Sequence, residues 1–159
     1  MARGTRIQGV LVIVQGIGVL IRGPAGLGKS LAALNLVRRG HQLVADDLVD
    51  VVAGPKGEVI GTAVEEDMRI EVRGLGVFKA RSLFPEAISQ SAPIDLVVDL
   101  DAYDPATDAG RLTPETSETL LLGRKLLTVR IPIAAGMEPA TLIELLARLY
   151  RQHGSVNPS

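Results

Sequence analysis

The sequence predicts an α/β fold in which a mixed β-sheet is flanked by helices, and three observations lead to this prediction. Short Val- and Ile-rich runs recur between Gly and Pro breaks, as in strands joined by turns. Two segments, residues 29–39 and 139–151, have the apolar spacing of helices. Residues 94–100 form the most continuous apolar run, which is typical of a strand that is buried on both faces.

The first part of the chain is predicted to alternate short strands with one helix. Residues 7–22 favour two strands joined at Gln15-Gly16. The helix over 29–39 carries apolar residues at three-residue spacing, and Gly40 follows it as a helix-ending residue. Further strands are predicted from the apolar runs around a turn at 54–57, namely residues 42–45, 48–53 and 58–62.

The second part is predicted to contain more strands and a closing helix. Residues 101–114 are polar and include two prolines, which predicts an exposed loop, and strands are predicted at 118–122 and 125–133. The last helix carries Leu residues on one face. Residues 154–159 are expected to be a disordered tail. Because 159 residues correspond to about one domain, we assign that domain to residues 1–153.

The composition excludes several classes of function. The 18 acidic and 17 basic side chains nearly balance, and aromatic residues make up 3% of the chain, so we expect no nucleic-acid partner. The absence of cysteine excludes disulfides, thiolate metal sites and a cysteine nucleophile. No apolar run approaches the roughly 20 residues of a membrane span, and the first residues lack the apolar core of a leader. We therefore expect no membrane association and a cytoplasmic location.

One motif carries recognisable chemistry. The segment GPAGLGKS fits the phosphate-binding loop G-x-x-x-x-G-K-[ST], and it lies between an apolar strand and the first helix. Glycines let backbone N–H groups turn towards phosphate oxygens, where the helix dipole also favours negative charge. Lys29 would reach the β- and γ-phosphates, and Ser30 would bind Mg²⁺. The predicted nucleotide-binding residues are Gly23, Ala25, Gly26, Leu27, Gly28, Lys29 and Ser30. The alternative is a Gly-rich turn without a ligand.

A nucleotide site also needs a carboxylate near the metal, usually at the end of an apolar strand. The pair Asp46-Asp47 and the single Asp99 both satisfy this condition, and spacing alone does not choose between them. Glu71 alternates with apolar residues along the chain. On that pattern alone, it is a residue on the solvent-exposed face of a strand. His41 follows a helix end and is better explained as a partner of the helix dipole than as a catalytic base.

Together, the motifs resemble the catalytic domain of the HPr kinase/phosphorylase family. The hallmark strings of that family are similar to GKS, RGH-LVADD-VD and EIRGLGI. Here they correspond in order to GKS at 28–30, RGHQLVADDLVD at 39–50 and IEVRGLG at 70–76. The likeness runs from about Gly9 to the last helix. The chain starts close to the first catalytic strand, so the resemblance leads us to expect the short form that lacks the family's N-terminal domain.

The resemblance implies an activity and roles for individual residues. It implies a P-loop fold and a hexameric homo-oligomer that uses ATP or pyrophosphate with Mg²⁺ to phosphorylate a serine of an HPr-like phosphocarrier protein, and that reverses this by phosphorolysis. Asp46 would be the catalytic acid/base, supported by Asp47, with Lys29 on the phosphates. Ser30 would hold the metal and Glu71 would be a second carboxylate beside it. The resemblance thus favours Asp46 over Asp99.

Three positions depart from the family pattern. Gln8 stands where the family has a histidine, Leu31 replaces a glutamate after GKS, and Met137 replaces an arginine in a late loop. Arg124 and Arg130 are candidates for supplying the missing charge. These departures motivate two other hypotheses. One is a nucleotide-binding regulatory relative without turnover, and the other is a kinase of the same fold that acts on a different substrate.

Overall fold

The computed structural model describes residues 4–72 and 74–156. The described residues form short strands and four helices, most of them close to the predicted positions. The strands are β1 (Gly4–Gln8), β2 (Val10–Val14), β3 (Ile17–Arg22), β4 (Gln42–Ala45), β5 (Leu48–Ala53), β6 (Val59–Ala63), β7 (Arg69–Val72), β8 (Gly76–Lys79), β9 (Ser91–Pro93), β10 (Leu96–Ala102), β11 (Glu115–Leu121) and β12 (Arg124–Ile133). The helices are α1 (Lys29–Arg38), α2 (Ala80–Leu83), α3 (Pro105–Asp108) and α4 (Pro139–His153).

The central layer is a mixed sheet of six strands in the order β11-β12-β10-β3-β2-β4. Strand β10 is parallel to both β3 and β12, whereas β2 is antiparallel to both β3 and β4. It follows that β3, β4, β10 and β12 all point in one direction. The residues that follow these strands therefore meet at one edge of the sheet, including the glycine-rich loop after β3 and Asp46 after β4.

The prediction of a mixed sheet is confirmed, but only one of its faces is covered by helices. On that face, α1 and α4 bury residues such as Leu36 and Ile143 against the sheet. The opposite face packs against a second, antiparallel sheet in the order β1-β5-β6-β9. Leu11 and Leu20 of the central sheet contact Val49 of the second sheet in this layer. The three layers are therefore helices α1 and α4, then the central sheet, then the second sheet.

The second sheet was not predicted, because short strands give no sequence signal for which partner they join. The chain leaves the central sheet at the end of β4 and enters the second sheet at β5, with only Asp46 and Asp47 between. Asp47 has a positive φ of 73°, as expected where a chain reverses direction sharply. This crossing, which we call the Asp46–Asp47 corner, places two carboxylates where the sheets diverge.

Other predictions of local structure are confirmed or corrected. The hairpin turn at Gln15-Gly16 is present, with φ values of 52° and 81°. The predicted exposed loop at 101–114 contains the short helix α3, which Asp104 caps by accepting a hydrogen bond from the amide of Ala106 at 3.0 Å. No helix in the described parts of the chain is long and apolar enough to cross a membrane.

Val156 lies within the segment expected to be a disordered tail, but it packs against the core. That side chain is 1% exposed and belongs to the cluster beneath α4. Gly154 ends α4 in the left-handed conformation, with its amide bonded to the Tyr150 carbonyl at 2.7 Å, which turns the chain back towards the core. Residues 157–159 lie outside the described residues.

Candidate functional site

The course of the loop between β3 and α1 depends on three of its glycines. Gly23, Gly26 and Gly28 have positive φ angles of 146°, 93° and 88°. A Cβ atom at Gly23 would lie 2.5 Å from the Leu100 carbonyl oxygen, so only glycine fits where the loop passes β10. Helix α1 has no side-chain cap and no acidic residue in its first turn. Its first amides are therefore free to bind an anion.

Both polar side chains of the motif face inward. The Lys29 ammonium donates a hydrogen bond to the Gly23 carbonyl, so the lysine folds back over its own loop. The Ser30 hydroxyl donates to Oδ1 of Asp46 at 3.0 Å. This second contact joins the start of α1 to the end of β4. It brings Lys29, Ser30 and Asp46, which lie up to 17 positions apart, into one half-buried group.

The environment of Asp46 suits an acid/base group. Burial raises the pKa of its carboxyl above the ordinary value, and the charge of Asp47 adds to this, whereas the Ser30 hydrogen bond and the charge of Lys29 oppose it. A carboxylate with a raised pKa binds a proton more readily, which favours general-base catalysis. Asp47 is exposed, and its carbonyl accepts a hydrogen bond from the Gly9 amide at 2.9 Å, which secures the corner.

Asp46 also lines a cavity of about 160 Å³. The walls come from the corner and from the connection between β6 and β7. The described lining residues are Asp46, Asp47, Leu48, Ala63, Val64, Glu65, Met68 and Arg69. None belongs to the glycine-rich loop, so Asp46 stands between the loop and a separate space that is open to a second molecule. Sequence reasoning did not identify Arg69, although its exposed position between buried Met68 and Ile70 was a possible signal.

Glu71 is not brought into a cluster with Asp46 and Asp47. It is exposed on β7, on the strand face that also carries Arg69, and it does not line the cavity. Within residues 4–72 and 74–156, no three His, Cys, Asp or Glu side chains are grouped closely enough to hold a metal. Ser30 still offers a hydroxyl oxygen of the kind that Mg²⁺ accepts as a ligand, and this ion is often held by one or two protein groups together with phosphates. The donor set fits Mg²⁺ that arrives with a nucleotide.

The alternative carboxylate, Asp99, is engaged elsewhere. Its two oxygens accept hydrogen bonds from Nε and Nη2 of Arg22 at 2.8 and 2.9 Å, across the parallel pair of β3 and β10. A bidentate pair of this kind neutralises the charge and fixes both side chains. Asp99 is thus a structural residue of the sheet.

His41 also has a structural contact. Its Nε2 lies 2.8 Å from Oε2 of Glu144 on α4, and Arg39 bonds both Glu144 and Glu138 of the same region. Burial raises the pKa of Glu144, but the hydrogen bonds from His41 and Arg39 outweigh burial and lower it. These contacts join the end of α1 to α4, so His41 acts through a side-chain pair and not only through the helix dipole.

The two arginines considered as replacement charges have other contacts. Arg130 bonds Asp101, Asp108 and Glu115, which occupies its guanidinium. Arg124 begins β12, at the edge of the sheet opposite the glycine-rich loop, and bonds the Gly57 carbonyl at 3.4 Å.

The departing residue Gln8, in contrast, lies beside the site. It ends β1 and pairs with Leu48, directly after the Asp46–Asp47 corner. Met137 is exposed in the loop before α4, where its amide bonds the Ala134 carbonyl at 3.1 Å.

Comparison with known proteins agrees with this geometry. The sequence-family model of the HPr Serine kinase C-terminal domain matches residues 1–158. HPr kinase/phosphorylase of Geobacillus sp. (strain WCH70) is 40% identical over 95% of this chain and 49% of its own length. The protein of that name in Geobacter sulfurreducens is 41% identical over 94% of this chain and 48% of its own.

A solved structure of the Hpr(Ser) kinase/phosphatase from Coxiella burnetii has a similar fold. It superposes with a TM-score of 0.82 at 29% sequence identity and covers 93% of this chain and 91% of that one. This chain spans about half the length of the curated relatives it matches. The strings around the glycine-rich loop, the corner and β7 are therefore those of a known family. The chain belongs to the family of the HPr serine kinase C-terminal domain.

Proposed function

We propose that this chain is a Mg²⁺-dependent protein kinase that transfers a phosphoryl group from ATP or pyrophosphate to a serine of an HPr-like phosphocarrier protein, and that reverses the transfer by phosphorolysis. The observation that carries the proposal is the 3.0 Å hydrogen bond between Ser30 and Asp46. It joins the anion-binding end of α1 to a half-buried carboxylate that also faces an open cavity. A phosphoryl donor and a hydroxyl acceptor can meet at such a carboxylate.

The donor side consists of the glycine-rich loop and α1. Backbone amides from 23–30 and the positive end of the helix dipole would hold the phosphates. Lys29 would exchange its contact with the Gly23 carbonyl for phosphate oxygens, because a charged acceptor forms the stronger hydrogen bond. Ser30 would hold Mg²⁺, which in phosphoryl transfer neutralises charge on the phosphates.

The acceptor side is the cavity next to Asp46. An acceptor hydroxyl placed there would give its proton to Asp46 as its oxygen bonds to phosphorus. Burial, which raises the pKa of Asp46, makes this proton transfer easier. One oxygen of Asp46 accepts the Ser30 hydrogen bond, which leaves the other for the hydroxyl. In reverse, protonated Asp46 would return the proton to the serine oxygen.

The central experiment compares phosphorylation of HPr by the wild-type chain and two variants, with labelled ATP and Mg²⁺. We expect labelled phosphoserine with the wild type, loss of at least 100-fold in Asp46→Asn, and near wild-type transfer in Asp99→Asn. The Asp99 variant is the matched control, because it removes the other carboxylate that the sequence offered. Wild-type labelling no higher than that of Asp46→Asn would refute the kinase proposal.

A second candidate is a nucleotide-binding regulatory protein without turnover. The observation that favours it is that Arg130 is held by three carboxylates while Met137 occupies the loop before α4. This candidate predicts ATP binding by calorimetry that is lost in Lys29→Ala and kept in Lys56→Ala, an exposed lysine in the β5–β6 turn, with no transfer to any serine. A kinase for another substrate would instead label a different protein in a cell extract.

Partner, assembly and location follow from the same proposal. We propose that residues 1–153 form the kinase domain and act in the cytoplasm on a phosphocarrier protein. We propose a homo-oligomer, with the hexamer that the family resemblance implies. Exposed apolar residues near the start of α1 and on the β7–β8 hairpin, namely Leu31, Leu75 and Val77, are available for contacts between subunits. Sedimentation velocity would show the assembly state.

A further inference from the structure

The cavity beside Asp46 contains one basic residue among its described lining. Three of the lining side chains are carboxylates, those of Asp46, Asp47 and Glu65, and the basic residue is Arg69. A phosphoryl group entering this space would meet Asp46 as a proton acceptor, but two further carboxylates would repel it. A cation on the same wall is needed to offset that repulsion.

Among the described residues, none engages the side chain of Arg69, which can therefore supply this charge. Two arginines of the central sheet are engaged, Arg22 with Asp99 and Arg130 with three carboxylates, whereas Arg69 lies on the separate β7–β8 hairpin. Across residues 4–72 and 74–156, Arg69 has no hydrogen bond or ion pair from its side chain, and that side chain is exposed. Its guanidinium therefore has all its donors available to phosphate oxygens, which it can bind in bidentate fashion.

The cross-strand neighbour of Arg69 points to an anionic ligand. Arg69 and Lys79 stand directly opposite each other in the antiparallel pair of β7 and β8, so they share one face. Like charges in this position destabilise a sheet. In the described structure, neither side chain forms an ion pair with a carboxylate, and Glu71, two residues along the same face of β7, bonds neither of them. A bound anion would relieve it, and a doubly charged phosphoryl group is suited to two cations.

The backbone at Arg69 is firmly placed. The residues on either side, Met68 and Ile70, are 7% and 1% exposed, and the Met68 carbonyl accepts a hydrogen bond from the Ala80 amide at 2.9 Å. The start of β7 is therefore anchored in the core, while Arg69 projects from the opposite face of the strand. The cavity of about 160 Å³ has room for roughly five water molecules, enough for a phosphoryl group on a small side chain.

We propose that Arg69 binds the transferred phosphoryl group on the acceptor side of Asp46, and that it holds phosphoserine or inorganic phosphate when the reaction runs backwards. This inference rests on the proposed function. In the forward step, the acceptor oxygen bonds to the γ-phosphorus as the bond to the β,γ-bridging oxygen breaks. That bond's electron pair stays on ADP, and the hydroxyl proton goes to Asp46. Arg69 neutralises charge on the phosphoryl oxygens and exchanges no proton.

The first test measures inorganic phosphate binding to the chain loaded with ADP and Mg²⁺, by calorimetry. The variants are Arg69→Met, Arg69→Lys and the matched control Arg148→Met, an exposed arginine on α4. We expect Arg69→Met to weaken phosphate binding at least tenfold, Arg69→Lys to weaken it less, and Arg148→Met to leave it unchanged. ADP affinity should be the same in all four proteins, which also shows that each is folded. A loss below tenfold in Arg69→Met, or no phosphate binding by the wild type, would overturn the proposal.

The second test measures transfer to HPr. We expect Arg69→Met to slow transfer by about 10³-fold, the lower end of the effect of an arginine at a developing phosphoryl charge. A decrease of less than tenfold would overturn the role in transfer. If the wild type transfers nothing, the proposed kinase function fails, and the phosphate titration still decides whether Arg69 binds phosphate at this cavity.

Discussion

Gly23 offers the most direct test of how the fold forms the phosphate cradle, and we predict that Gly23→Ala damages both stability and nucleotide binding. A Cβ atom there would lie 2.5 Å from the Leu100 carbonyl oxygen. That oxygen cannot move aside easily, because it belongs to β10, which pairs with strands on both sides. The φ angle of 146° adds a second penalty.

A matched variant separates these two contributions. Gly57 has a φ of 81° in the β5–β6 turn, and a Cβ atom there would meet no atom within 4 Å. Gly57→Ala should therefore lower the free energy of unfolding by about 1–2 kcal/mol, the cost of a positive φ. Gly23→Ala should lose a further 1–3 kcal/mol or so from overlap with the backbone. At about 2–4 °C per kcal/mol, the melting temperatures should fall by about 2–8 °C and about 4–20 °C.

The assay is thermal unfolding followed by circular dichroism without nucleotide, together with titration of a fluorescent ATP analogue. Gly57→Ala should bind the analogue as the wild type does. Gly23→Ala should bind it much more weakly, because the loop must shift away from β10 and carry its amides with it. Equal melting temperatures for the two variants would show that the loop does not approach Leu100 closely, and the account of the cradle would be wrong.

Three further predictions concern the base, an ion-pair cluster and the core. The Asn side chain in Asp46→Asn still has an oxygen that can accept the Ser30 hydrogen bond. ATP affinity measured by calorimetry should therefore change less than about threefold. A larger loss of affinity would show that the carboxylate mainly binds nucleotide. Hydrogen bonds from Arg130 lower the pKa of Asp108. This pair therefore stabilises the fold fully above about pH 4, the ordinary pKa range of an aspartate. The stabilisation is lost as the pH falls through the lowered pKa of Asp108. The loss of stability in Arg130→Met, from urea unfolding, should therefore be greatest at pH 7 and shrink at acidic pH, whereas a pH-independent loss would contradict this. Ile143→Ala, fully buried on α4, should cost about 2–5 kcal/mol in urea unfolding, and exposed Leu145→Ala should cost almost nothing.

Much of the local structure was predictable from the sequence because its causes are local. Helix α1 ends one residue before the predicted limit, and Gly40 follows it with a positive φ of 95°. The Gln15-Gly16 turn is present with positive φ at both residues, which Gly16 adopts readily and Gln15 adopts because the tight hairpin requires it. Helix α3 escaped prediction because Asp104 and the prolines of 101–114 favour turns and helix starts alike.

The candidate site was predicted only in part. Ser30 bonds Asp46 and Lys29 lies beside Ser30 at the start of α1, whereas Glu71 forms no metal-binding group with the carboxylate pair within the described residues. Asp46 follows one apolar run, and Asp99 lies near the end of another. Sequence spacing therefore could not show which of the two belongs to the candidate site. The difference lies in their neighbours: Arg22 is opposite Asp99 in the next strand, while Ser30, at the start of α1, bonds Asp46.

The sequence by itself determined the strand, the glycine-rich loop and the helix of the proposed anion cradle, since backbone conformation there depends on residues adjacent in the chain. It also determined the family, through three strings in order. Only the tertiary structure decided that Asp46 lies at the crossing between two sheets, that Arg69 shares its cavity, and that Asp99 and Arg130 are neutralised. Those outcomes depend on which distant strands pair, and pairing is set by the packing of both sheet faces together.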